Sequence, residues 1–94
     1  MEFEWDENKR QEVRRERKLD FARAAKALHD PARLTMIDTR HDYGEERLLT
    51  MGSVEGECYI VAYTMRGHRV RIITAWKVNE HGQRRFAALF QRRN

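Results

Sequence analysis

The sequence predicts an α+β fold, in which strands and helices segregate along the chain instead of alternating. Three observations carry this. Apolar residues recur at helical spacing between Asp20 and Pro31. Three β-rich runs joined by two-residue glycine turns follow in the second half. A capped, amphipathic, Arg-rich stretch comes last. The expected order is an N-terminal strand, two helices, an antiparallel sheet meander and a C-terminal helix, in one domain spanning residues 1–94.

Glu2 to Trp5 alternates, with Phe3 and Trp5 on one side, and reads as a short edge strand. Asp6 is placed to cap the first helix. Glu7 to Lys18 is dense in charge, with Val13 and Leu19 as a thin apolar seam. Asp20 is the next cap. Phe21, Ala24, Ala25 and Leu28 fall at i, i+3, i+4 and i+7, and Pro31 ends that helix. Arg33 to Ile37 is a brief strand, and Asp38 to Glu46 a polar loop with a glycine.

Arg47 to Val54, Glu57 to Met65 and Arg69 to Lys77 form the meander, turned at Glu55-Gly56 and Arg66-Gly67. The middle run is apolar on both faces and is therefore central. In the last run, Val70, Ile72, Thr74, Trp76 and Val78 point one way; Arg69, Arg71, Ile73, Ala75 and Lys77 point the other. Arg71 and Lys77 then share a side roughly 20 Å apart. Asn79 is placed to cap the last helix. There Gly82, Phe86, Leu89 and Phe90 share one face, and His81, Arg84, Arg85, Ala88 and Arg92 the other.

The composition is 40% hydrophobic and 36% charged, with a formal charge of +4, which favours an anionic partner. The single cysteine, Cys58, excludes an internal disulfide and points to a reducing, cytoplasmic setting. The acidic N-terminus has no apolar signal segment, and no window is apolar enough for a membrane span. There is no glycine-rich phosphate loop, no CxxC and no HExxH, and the four histidines are scattered. No cofactor or metal is expected.

What remains is a set of Arg and Lys with one or two His. That set suits RNA cleavage by attack of the 2′-hydroxyl on the adjacent phosphate, which needs a base, an acid and cations on the phosphorane. His81 or His41 could serve in proton transfer near neutral pH.

Several segments carry a resemblance to a known family: HDYGEERLLTMG at His41–Gly52, the run from Tyr63 through RVRIITA to Lys77, QRRF at Gln83–Phe86, FEWDENK at Phe3–Lys9 and DFARAAKALHDP at Asp20–Pro31. Together they resemble the BrnT toxins of type II toxin–antitoxin systems over nearly the whole chain. The resemblance implies a RelE-like fold, metal-free endoribonuclease activity that arrests growth, and a BrnA-like ribbon-helix-helix antitoxin. It also implies operator DNA contact only through that antitoxin, and a hetero-oligomer with it.

The same resemblance puts the family's activity on charged residues of the last strand and last helix. The residues expected to act on RNA are then Arg71, Lys77, His81, Arg84 and Arg85. Arg69, Arg47, His41 and Arg92 are expected to bind it. The chain departs from the family pattern at Trp76 (usually Arg), Gly82 (usually Glu), Phe86 (usually Tyr) and Lys18 (often Gly). Three readings therefore stand: an active ribonuclease toxin; a catalytically weakened homologue serving as an antitoxin-binding or RNA-binding module; or a basic interaction domain unrelated to toxins.

Overall fold

The computed structural model describes residues 1–93, so residue 94 of the expected domain lies outside the described residues. Strand β1 (Glu2–Trp5) leads into helix α1 (Glu7–Arg17) and a short helix α2 (Phe21–Ala24), which tightens into a 3-10 turn at Ala25–His29. Strands β2 (Leu34–Ile37), β3 (Leu48–Val54), β4 (Glu57–Arg66) and β5 (Arg69–Lys77) follow, and helix α3 (Glu80–Arg93) closes the chain. This is the α+β order read from the sequence. The five strands form one sheet in the order β1-β5-β4-β3-β2, with β1 parallel to β5 and every other pair antiparallel.

The caps act where the sequence puts them. The Asp6 carboxylate accepts from the amides of Asn8 and Lys9, and Asp20 from that of Ala22. The Asn79 side chain accepts from the amide of Gly82 at 2.9 Å and starts α3. Lys18 ends α1 in the left-handed region at φ 55°. A side chain is strained there, and glycine is the common occupant.

One face of the sheet is covered by α1, α2 and the 3-10 turn. Val13, Leu19, Phe21, Ala24, Ala27 and Leu28 bury against Val61, Tyr63, Val70, Ile72 and Ala75. The run of alanines lets the 3-10 backbone lie directly on β3 at Gly52. A Cβ there would stand 2.3 Å from the Ala27 carbonyl oxygen, so only glycine fits. The expected single helix over residues 21–28 thus gives way to a tighter turn after Ala24. The opposite face carries a second, smaller core of Met36, Leu49, Ile60, Ala62 and Phe86 under α3.

Two expectations for the meander are corrected. The second turn lies one residue later, at Gly67-His68, because Arg66 and Arg69 still pair. More consequentially, β5 contains a β-bulge. Ala62 pairs with Thr74 but Tyr63 pairs with Ile72, which leaves Ile73 as the extra residue. Side-chain alternation reverses across the bulge. Ala75 joins Val70 and Ile72 in the first core, whereas Ile73, Trp76 and Val78 pack on the second. Arg71 and Lys77 therefore lie on opposite faces of the sheet, and the shared side inferred from simple alternation does not exist.

Candidate functional site

On the second face, α3 lies over the sheet, and Arg40 from the loop after β2 reaches the same region. A cleft of about 270 Å³ opens there. Met36, Leu49, Ile60 and Trp76 form its floor; Gly82, Phe86 and Leu89 form the helical wall; Arg40 and Arg85 reach its rim. Phe86 is buried at 5% exposure, but Leu89 is 40% exposed. The inward face of α3 is thus Gly82, Gln83, Phe86, Ala87 and Phe90, and Leu89 opens onto the cleft instead of facing a closed core.

The loop is built around one buried carboxylate. Asp38 is 5% exposed. Its Oδ1 accepts from the Arg40 amide at 3.1 Å and from Arg40 Nε at 2.9 Å. Its Oδ2 accepts from Arg40 Nη2 at 2.8 Å and from the Tyr43 hydroxyl at 3.1 Å. The Arg40 guanidinium holds the Asp38 carboxyl at about 2, against its ordinary 3.8. The bidentate pair fixes the guanidinium plane and holds it 5.7 Å from the Trp76 ring centroid. Tyr43 in turn carries the Arg47 guanidinium 3.9 Å from its ring centroid and the His41 ring at 5.7 Å. The loop is closed at its base by the Asp38 amide donating to the Arg47 carbonyl at 2.8 Å, and tied to β4 by Thr64 Oγ1 donating to the Glu46 carbonyl.

The residues expected to act on RNA are not all brought together. His81, Arg84 and Arg85 stand at i, i+3 and i+4 on the first turns of α3 and are exposed; that spacing makes them neighbours. Arg85 alone of the three lines the cleft. Arg84 has only a marginal 4.0 Å pair with Glu80. Arg69 and Arg71 lie at the far edge of the sheet, where the parallel register sets them opposite Glu2 and Glu4. Arg71 pairs with Glu4 at 2.8 Å and Arg69 with Glu2 at 3.3 Å, so acids of the neighbouring strand already match both charges. Arg92 is exposed near the end of α3, and Arg47 and His41 belong to the Tyr43 cluster.

Lys77 faces the α1/α2 side and belongs to a separate network. Its ammonium pairs with Glu57 Oε2. Glu57 Oε1 accepts from Arg23 Nη2 at 3.0 Å and from the Tyr59 hydroxyl at 3.2 Å, and Arg23 Nε donates to the Tyr59 oxygen at 3.0 Å. Lys77, then Arg23 and Tyr59, hold Glu57 at about 2, and Glu57 raises Lys77. Such mutually satisfied ions act mainly as structure. Cys58 is equally inert, its thiol pushed up by burial. Among the described residues no three His, Cys, Asp or Glu side chains converge as a metal site.

Arg40, at the cleft, and Asp38, which holds it, are not singled out by the sequence, and Trp76 stands out there only as a departure from the family pattern. The only signal is Asp-x-Arg at Asp38–Arg40, a spacing common in surface loops.

A small α+β domain with exposed helix cations beside an aromatic-floored cleft is suited to a polyanion with bases. The comparison with protein families sharpens this. The model of the family described as ribonuclease toxin BrnT, of type II toxin–antitoxin systems, matches residues 5–82. The chain belongs to the BrnT family of ribonuclease toxins, whose type II systems pair a toxin with an antitoxin. The comparison with curated proteins finds no match. The matched span includes Asp38, Arg40, Trp76 and His81 and ends at Gly82, before Arg84 and Arg85. No helix among the described residues is long and apolar enough to cross a membrane.

Proposed function

We propose that this chain is a metal-independent endoribonuclease whose reacting phosphate lies at the first turns of α3, beside the cleft. The observation that carries this is the His81, Arg84, Arg85 triplet, spaced to act together, with Arg85 at the cleft rim. In this reading His81 takes the proton of the 2′-hydroxyl. The 2′-oxygen bonds to phosphorus, the bond from phosphorus to the 5′-oxygen breaks, and solvent protonates that oxygen. The products are a 2′,3′-cyclic phosphate and a 5′-hydroxyl. Arg84 and Arg85 meet the charge on the phosphorane. Arg71 and Lys77, each already paired with a carboxylate and on opposite faces, stand outside the reacting centre.

The partner proposed with it is a BrnA-like ribbon-helix-helix antitoxin in a cytoplasmic hetero-oligomer, with operator DNA reached only through that antitoxin. Family membership supports a partner of this kind.

A second reading is favoured by one observation. Phe86 is packed into the core and Gly82 has no side chain, so neither position offers a proton-transfer group. On that reading the chain binds antitoxin or RNA but cleaves poorly. One experiment separates the two: single-stranded RNA is incubated in EDTA with the unmodified protein, His81→Ala and Arg85→Ala, and end groups are identified. The expected result is cleavage with 5′-hydroxyl ends, falling ~10²–10⁴-fold in His81→Ala. Equal cleavage by all three proteins overturns the site. RNA bound but uncut by the unmodified protein establishes the second reading.

A further inference from the structure

We propose that the cleft under α3 receives one nucleobase of single-stranded RNA, stacked on Trp76, with the flanking phosphates held by Arg40 and Arg85. This rests on the chain acting on RNA, and it names the recognition element of that same site.

Size is the first argument. Pockets for drug-sized ligands begin near about 300 Å³, and this cleft has about 270 Å³. A single planar base suits it better than a whole nucleotide, whose charged groups would remain at the rim. Chemistry is the second. Single-stranded RNA is bound by stacking unpaired bases on aromatic rings and on arginine planes. Trp76 is half-buried, packed on the second core yet surfacing in the cleft. It is the sole indole there, since Trp5 packs on the other face against Phe21.

Charge placement is the third. Asp38 takes Nε and Nη2 of Arg40, and among the described residues Nη1 has no protein partner. Arg40 is thus fixed in orientation with one donor edge left for a ligand. Arg85, which also lines the cleft, has no ion pair among the described residues. Gly82 keeps the helical wall low: the position carries no side chain, and a Cβ there would already touch Val78 at 3.4 Å. The Lys77 network on the other face offers neither an exposed ring nor an unmatched cation, so it does not compete for this role.

The guanidinium of Arg47 lies 3.9 Å from the Tyr43 centroid. Arg40 stands farther from Trp76, at 5.7 Å, and the indole is only half-buried and lines the cleft. Every base presents a π-face, so this contact adds affinity without strong preference among bases.

The test is equilibrium binding of the full chain to a fluorescently labelled, 2′-O-methylated RNA oligonucleotide, which cannot be cleaved, and to an abasic chain of equal length. Trp76→Leu keeps apolar bulk and removes the indole; Trp76→Phe restores a ring. The expected result is that Trp76→Leu weakens binding of the base-bearing strand about tenfold, the loss of one base–aromatic stack. Trp76→Phe recovers most of that loss, and abasic binding is unchanged by either.

Equal affinity of Trp76→Leu and the unmodified protein for the base-bearing strand overturns the proposal. A loss in Arg85→Ala alone would then leave the ribonuclease reading standing. No binding of either strand by the unmodified protein removes both. If Trp76→Leu fails to fold, the same question is put to Trp5→Phe, in which Trp76 is the only tryptophan. Its emission must be quenched by the base-bearing strand and not by the abasic one; equal response to both overturns the stack.

Discussion

Replacing Asp38 by Asn tests the loop that presents Arg40. The carboxylate accepts four hydrogen bonds, three from Arg40 and one from Tyr43, and its side chain is 1% exposed. Asn keeps the shape and one acceptor oxygen, but it loses the charge and one of the two acceptors of the guanidinium fork. The carboxyl is held at about 2 against an ordinary 3.8. A depression of that size corresponds to about 2 kcal/mol of folding stability at neutral pH.

The sign follows from the direction. A carboxyl depressed in the folded state stabilises it above the unfolded value, and that stability is lost as pH falls toward the folded value. Urea denaturation should therefore show Asp38→Asn about 2 kcal/mol less stable at pH 7, with the gap shrinking to roughly half at pH 3. A gap of equal size at both pH values would refute the reasoning, because it would trace the loss to packing and not to charge. The same variant should also bind single-stranded RNA more weakly, since Arg40 is freed from its position near Trp76.

Two further substitutions test the backbone. Gly52→Ala places a Cβ 2.3 Å from the Ala27 carbonyl oxygen, and the obstacle is backbone that cannot rotate away. The expected loss is at or above the upper end of the ~1–3 kcal/mol typical of overpacking, read as a fall in the denaturation midpoint; an unchanged midpoint would contradict the close approach. Lys18→Gly relieves a left-handed residue at φ 55°, and should raise stability by up to about 1 kcal/mol in thermal melts. A lower Tm would show that the lysine side chain contributes more than the strain costs.

The architecture was largely legible in the residues. Caps at Asp6, Asp20 and Asn79, glycine turns and a doubly apolar central strand are local signals, and each element they mark is present. The local pattern failed where structure depends on a partner strand. Nothing in RVRIITAWK distinguishes an extra residue at Ile73 from regular alternation; the bulge is visible only in the register against β4. That one residue sends Lys77 to the α1/α2 face and Trp76 toward α3. It likewise hid the value of Trp76, which alternation assigned to the same side as Val70 and Ile72.

The helix cations were readable from periodicity, because α3 is regular and its spacing fixes neighbours. Asp38 and Arg40 were not, because a two-residue separation in a polar loop carries no periodic signal. Leu89 was assigned to the core because the helical projection cannot tell how far the sheet extends beneath it.

The pairing of β1 with β5 carries a consequence for timing. The Glu2–Arg69 and Glu4–Arg71 contacts join residues 67 positions apart, and among the described residues β1 pairs with no other strand. While the chain is being synthesised at ~5–20 residues per second, the first strand must wait several seconds for its partner. Contacts of such long sequence separation also close late in folding. A chain whose sheet cannot close until its last strand emerges has no assembled cleft during that interval. The topology thus delays the appearance of a working toxin, and gives an antitoxin made at the same time a head start on it.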